Sequence, residues 1–270
     1  MFTLDRANMW KRISAWLLDT ILVAILATGF AFLISWITKY DSYSNGYEER
    51  YSYYENEYGI EFSDSEVMNY IQLTKGEVSE CDALDDLDED ALNKCRSSVN
   101  AYTALASDDI VLYNWRMMYN LILIMVSCGV LLAIMICEFV IPLFLKNGQT
   151  VGKLCFGLCL VRSDCVKISN VALFTRALLG KFAVESIIPI YAIIYVLYYQ
   201  GGRIWLIILA LLLALQFALF FFTRNHTPIH DLLSMTVVVD KNSQKIYQST
   251  EELVKAKEEN AKEEAQKAYY

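Results

Sequence analysis

Histidine is nearly missing from this 270-residue chain, with two in all, and none of its seven cysteines stands in a CxxC pair. The usual zinc-ligand spacings are therefore absent. Cys155, Cys159 and Cys165 lie on an apolar stretch where core packing is the ordinary reading, and Pro228 interrupts the pair His226 and His230. The further ligands that would make His230-Asp231 a hydrolase site are missing. A nucleotide loop is missing too. Between Gly148 and Gly152 stand three residues where four are needed, and Leu154 follows Lys153 where a Ser or Thr is required. No nucleophile–base pair is legible. These absences predict no metal, no cofactor, no nucleic-acid partner and no catalytic residues.

What the chain has is hydrocarbon. It is 56% hydrophobic, with a mean hydropathy of +0.32. Crossing a bilayer takes about 20 helical residues. Four stretches meet or approach that length: Ile13 to Ile37, Met117 to Leu145, Phe182 to Tyr199 and Ile204 to Phe222. The expected fold is all-α, a polytopic helical bundle, with Gln200-Gly201-Gly202-Arg203 turning the last two spans into a hairpin. The first span is too long for a signal-peptide core and lacks a small-x-small cleavage site.

Basic residues flank the spans asymmetrically. Arg6, Lys11 and Arg12 precede the first, and Lys146, Lys153, Arg162, Lys167, Arg176 and Lys181 lie between the second and third. The bias predicts a multi-pass cell-membrane protein with cytoplasmic N- and C-termini. Four regions follow: 1–39, the N-terminus and first span; 40–110, an external insert; 111–240, the rest of the membrane domain; and 241–270, a charged helical tail.

The insert holds most of the acid, 18 Asp and Glu against four Lys and Arg. Residues 40–63 alternate tyrosine with acid and amide and read as a solvated, partly ordered loop. Cys81 and Cys95 make a plausible disulfide in an oxidising exterior. Asp86, Asp88 and Asp90 alternate as in a calcium loop, but Ala91 and Ser97 stand where such a loop needs Gly and Glu. In the tail, Glu251 with Lys255, Glu258 with Lys262 and Glu263 with Lys267 predict a solvated helix.

Charged residues inside apolar spans each need a reason, because an unpaired one costs about 2.5–3.5 kcal/mol on insertion scales. Arg12 and Asp19 share a helix face through Ala15. Asp19 and Glu138 fall at similar depth on different spans. Arg176, Lys181 and Glu185 enter the third span, with Lys181 and Glu185 four residues apart, and His230 and Asp231 follow the last. Three cations (Arg12, Arg176, Lys181) thus face four acids (Asp19, Glu138, Glu185, Asp231). Such a set suits a packing lock. It equally suits a cation or proton site, which the extra acid slightly favours. The stretch Lys153 to Arg162 (KLCFGLCLVR) is expected to lie at the membrane interface or to turn back into the protein.

Together these motifs resemble a known group, the RDD family of membrane proteins, named for one arginine and two aspartates. The opening ANMWKRISAWLLD places Arg12 and Asp19 on the first two positions. Gly148-Gln149-Thr150-Val151-Gly152-Lys153 resembles the central loop, Arg176 the arginine before the next span, and His230-Asp231 with Thr236-Val237-Val238-Val239 the closing segment. The likeness covers residues 7–40 and 112–240; the acidic insert departs from it, as does Met235, where the family commonly has Gly.

Some members of the family are associated with sodium/proton exchange, and others resemble assembly partners of membrane complexes. The resemblance therefore implies monovalent cation/proton exchange, with Asp19, Asp231 and Glu138 binding the ion or proton and Arg12 or Arg176 as counter-ion. The alternative is a non-transporting scaffold that binds another membrane protein. Four spans show no inverted repeat of the transporter kind, so exchange would require a homo-oligomer.

Overall fold

The computed structural model describes residues 7–84, 88–145, 148–198, 203–222, 227–242 and 245–268. Its elements in chain order are α1 (Met9–Thr38), α2 (Tyr40–Tyr58), α3 (Ser65–Leu73), α4 (Glu89–Ser107), α5 (Asp109–Ile134), α6 (Ile141–Phe144), α7 (Val151–Cys155), β1 (Leu158–Arg162), α8 (Asn170–Thr175), α9 (Ile188–Tyr198), α10 (Arg203–Phe222), α11 (Ile229–Leu233), β2 (Thr236–Asp240) and α12 (Thr250–Ala268). A π-helical turn, Met135–Val140, joins α5 to α6, and a longer π segment, Arg176–Ile187, joins α8 to α9.

Three continuous helices are long and apolar enough to cross a membrane: Met9–Thr38, Asp109–Phe144 and Asn170–Val196. The third begins 12 residues before the sequence-predicted Phe182, because Arg176, Lys181 and Gly180 lower the local hydropathy while remaining helical. The expected fourth span corresponds to α10, whose apolar stretch Arg203–Leu219 is shorter than the other three. α9 packs on α10, with Tyr195 stacked on Trp205 at 4.8 Å. The expected turn at 200–202 lies outside the described residues, as do Arg6, Lys146, Asp86 and His226.

Each π segment ends two residues before a proline. Pro142 and Pro189 carry no N–H, and their rings crowd the carbonyl four residues back, so the helix widens to bonds five residues long. Ile141 N accordingly donates to Ile136 O, and Ile188 N to Ala183 O. The residues four back are Glu138 and Glu185.

The chain forms two compact units, Phe32–Met125 and Met1–Ala31 with Val126–Tyr270. Their boundaries fall inside α1 and α5, whereas the sequence reading cut at 39 and 110. In the unit Phe32–Met125, residues 40–58 form a helix and not the expected loop. Tyr47, Tyr51, Tyr54 and Tyr58 recur at helical spacing and pack on Ile60, Phe62, Val67, Ile71, Ala101, Leu105 and Val111. Tyrosine supplies the apolar stripe that aliphatic residues usually provide. Gly59, at φ 63°, closes α2, and Asp64 and Asp88 cap α3 and α4. The Cys81–Cys95 disulfide, with Cα atoms 6.1 Å apart, sits in a second small core with Tyr70 and Val99.

In the other unit, α7 and α11 each lead through one left-handed residue into a strand. β1 and β2 pair antiparallel from Leu158↔Asp240 to Arg162↔Thr236, centred on Leu160↔Val238. The expected interfacial stretch KLCFGLCLVR is thus a short helix and a strand. Residues 158–161 and 236–239 are buried throughout, so the strands read as continuous apolar runs without a period of two.

The two helix–strand segments form an internal repeat. Residues 150–162 align in register with 228–240: each helix begins seven residues before its strand, and the left-handed residues are Gly157 (φ 67°) and Met235 (φ 53°). Even the flanking bonds match, Ser163 N to Met235 O at 3.1 Å and Lys241 N to Gly157 O at 2.9 Å. Met235 thus occupies the position of a turn glycine while its side chain is exposed. Because a left-handed non-glycine residue is strained by about 1–2 kcal/mol, partly offset by the entropy glycine adds to the unfolded chain, Met235→Gly is expected to stabilise by up to about 1 kcal/mol. Thermal unfolding in detergent measures it; a lower midpoint would contradict the strain argument.

The tail forms α12, as its charge spacing predicts, and it is anchored. Leu253 is buried with Cys165, Val166 and Tyr247.

Candidate functional site

On α1 the buried residues are Arg12, Ala15 and Asp19, which share one face of the helix. The loop before α7 closes over that face. Thr150 Oγ1 donates to Asp19 Oδ2 at 2.5 Å, and Gly152 N donates to Asp19 Oδ1 at 2.7 Å. Thr150 also caps α7, accepting from Lys153 N at 3.3 Å and from Lys153 Nζ at 3.2 Å, which uses its one donor and both lone pairs. Gly152 has to be glycine, because a Cβ there would strike the Ala15 carbonyl and lie 2.8 Å from Asp19 Oδ1. Gln149 Nε2 donates to the Leu158 carbonyl at 2.6 Å, and Gly148, at φ 62°, turns beneath Ile168.

The centre of the site is Arg176, fully buried. Its Nη1 lies 2.6 Å from Glu138 Oε2 and its Nε 2.8 Å from Asp231 Oδ1. Lys181 Nζ takes the other Glu138 oxygen at 3.3 Å, so it pairs across helices and not with Glu185 as its spacing suggested. The π segment turns the i, i+4 neighbours of an α-helix away from each other. Glu185 instead receives His230 Nδ1 at 2.7 and 2.8 Å and the His230 amide at 3.2 Å. Gln216 on α10 adds a side-chain hydrogen bond to Glu185. α11 reaches this depth because Gly180 has no side chain; a Cβ there would overlap the Cα and Cβ of His230.

Lys153 is the member that sequence reasoning missed. Read as an interfacial residue, it is buried, its Nζ 3.9 Å from Asp19 Oδ2 and 4.0 Å from Glu138 Oε2. The tally becomes four cations, Arg12, Lys153, Arg176 and Lys181, against Asp19, Glu138, Glu185 and Asp231. The extra acid that favoured a cation site is therefore balanced. A signal was present for the carboxylates: Glu138-Phe-Val-Ile-Pro142 and Glu185-Ser-Ile-Ile-Pro189 share their Glu, Ile and Pro. Lys153 is the counterpart of Asp231 in the internal repeat, which the backbone shows and the sequence does not.

Electrostatics divide the network. Burial, reinforced by Arg176, pushes the Lys153 ammonium down to about 8 against the pull of Glu138 and Asp19. Its charged form is thus disfavoured in the folded protein, and folding gains stability as pH rises from about 8 towards the ordinary 10.5. Burial likewise lowers His230, against the pull of Asp231 and Glu185. Burial would raise Asp231, but His230 and Arg176 hold it well below the usual carboxylate range. Asp231 Oδ1 also accepts from Thr236 Oγ1 at 3.1 Å, while its Oδ2 is buried with no hydrogen-bond partner among the described residues. Arg12 is buried within electrostatic range of Asp231. The three cysteines of the apolar stretch are dispersed: Cys155 is exposed, and Cys159 and Cys165 lie in separate small cores.

The RDD family model matches residues 97–235, just over half of the chain. No curated protein and no solved structure matches it. The matched range holds Glu138, the loop 148–153, Arg176, His230 and Asp231; Arg12 and Asp19 lie before it, and the bonds from Thr150 and Gly152 join Asp19 to it. With apolar spans meeting at this buried network, the chain belongs to the RDD family of membrane proteins.

Proposed function

We propose that the protein exchanges a monovalent cation for protons at the Lys153 side of the network, formed by Asp19, Glu138, Thr150 and Lys153. The observation that carries this reading is the spacing of Lys153. One ammonium serves two carboxylates at 3.9 and 4.0 Å, whereas Arg176 clamps Glu138 and Asp231 at 2.6 and 2.8 Å. A small cation has hard oxygen ligands within reach there, two carboxylates and a hydroxyl. Asp19 alternates between proton and cation, Glu138 acts as the second relay, and Lys153, more closely placed than Arg12 or Arg176, is the counter-ion of Asp19. Since a proton and a monovalent cation carry the same charge, the swap leaves the network's net charge unchanged. Asp231, tied to Arg176 and Thr236, positions that arginine. The protein acts without enzymatic chemistry, as a homo-oligomer that supplies the pathway four helices lack.

We place it in the cell membrane with both termini cytoplasmic; the basic flanks of the spans and a disulfide in the insert support that orientation. Proteoliposomes holding purified protein and an internal pH dye test the exchange. A sodium or potassium pulse is expected to drive pH-dependent proton movement, reduced about tenfold or more in Asp19→Asn, which loses a charged ligand. No exchange by the wild-type protein, or equal exchange by the variant, would sink the reading.

The scaffold reading is favoured by a different observation, the folded, disulfide-bonded unit that contains the insert. A stoichiometric membrane-protein partner, lost on deleting residues 41–109, would support it.

A further inference from the structure

The two halves of the internal repeat share one distribution of polarity. In α7, Gly152 and Lys153 face the network while Leu154, Cys155 and Phe156 are left uncovered; in α11, His230 and Asp231 face it while Leu232, Leu233 and Met235 are uncovered. The exposures are large, 45% for Leu154 and 55% for its counterpart Leu232. Besides Cys155, five apolar side chains on two five-residue helices and the turns after them are thus presented outward.

Depth decides what covers them. Gly152 donates to Asp19, ten residues into the span Met9–Thr38, and His230 lies against Gly180, ten residues into the span Asn170–Val196. At about 1.5 Å per residue, each contact is about 15 Å from the start of its helix. A 30-residue helix is about 45 Å long and overshoots a hydrocarbon layer of about 30 Å by about 7 Å at each end. The contact at Asp19 therefore falls inside the layer. On the same helices, Leu17 and Leu179 are also exposed.

We propose that α7 and α11 are a twofold-related pair of half-helices embedded in the bilayer, with Leu154, Phe156, Leu232, Leu233 and Met235 against acyl chains. Short irregular backbone at that depth is tolerated when its polar groups are satisfied within the protein. The pairs Gly152–Asp19 and His230–Glu185 and the central strand pairing supply this. The charge network is consequently enclosed on its outer side by lipid and not by water, whatever the protein transports or binds.

The test uses the full chain in proteoliposomes containing a phospholipid with a diazirine at mid-acyl chain, followed by peptide mass spectrometry. Adducts are expected on both segments 151–157 and 229–235, as well as on α10. Adducts on α10 with none on either segment would overturn the proposal, and adducts on one segment alone would overturn the pairing. A second measurement needs no label: Leu154→Asp and Leu232→Asp are each expected to lower the yield of folded, membrane-inserted protein by about fivefold or more. Yields equal to wild type, as for water-facing positions, would contradict it.

Discussion

Arg176→Leu is expected to destabilise the membrane-embedded unit by about 3–5 kcal/mol, the usual consequence of removing one partner from a buried ion pair. The arginine is fully buried and makes shorter ion pairs than either lysine of the network, to Glu138 at 2.6 Å and Asp231 at 2.8 Å. Leucine fills much of the space but leaves two carboxylates without it. Glu138 retains Lys181 at 3.3 Å, whereas Asp231 keeps the Thr236 hydroxyl and His230 Nε2 at 3.5 Å. Asp231→Asn in the same chain is therefore expected to restore more of the loss than Glu138→Gln. Thermal unfolding in detergent, followed by tryptophan fluorescence, reads both. A loss below about 1 kcal/mol would mean that water reaches these carboxylates, as at exposed pairs.

Removing the disulfide by Cys81→Ser with Cys95→Ser is expected to cost the unit Phe32–Met125 about 2–4 kcal/mol. The cysteines are 14 residues apart, a short loop, and both are fully buried beside Tyr70 and Val99. Serine would lose the cross-link and also place two hydroxyls in an apolar pocket. A small unit whose apolar stripe is largely tyrosine has little other core to compensate. Limited proteolysis of the intact protein, with and without reductant, measures the effect. Cleavage within 60–105 is expected to accelerate in the variant and in reduced wild type. Unchanged cleavage would mean that the two small cores suffice without the bridge.

The legibility of the molecule followed the length scale of each signal. Membrane helices were plain because about 20 apolar residues in a row match the thickness of a bilayer and exceed what most soluble cores can bury. Asp19, Glu138 and Glu185 stood out because a charge in such a run is costly, and Arg12, Arg176 and Asp231 because they stand in the motifs of the family. The helix at 40–58 is not legible from composition, because the segment has little aliphatic content for a core; its tyrosines stand at helical spacing and their rings supply the apolar stripe instead. The repeat was hidden for another reason. Over 150–162 and 228–240 only two positions are identical, Leu154 with Leu232 and Val161 with Val239. What the two segments share is a backbone path and a polarity pattern.

Lys153 marks the boundary between the two kinds of information. Sequence alone determined that the chain enters a membrane, that acids and bases enter with it, and that its motifs are those of the RDD family, since burial cost and spacing are local properties. Which charges meet was decided only by tertiary structure. Two prolines widen their helices and re-aim Glu138 and Glu185, glycines 152 and 180 let short helices touch the spans, and a five-residue strand pairing brings segments 78 positions apart to one centre. Ion pairing depends on separations of a few ångströms between side chains on different elements, and no spacing along the chain encodes them.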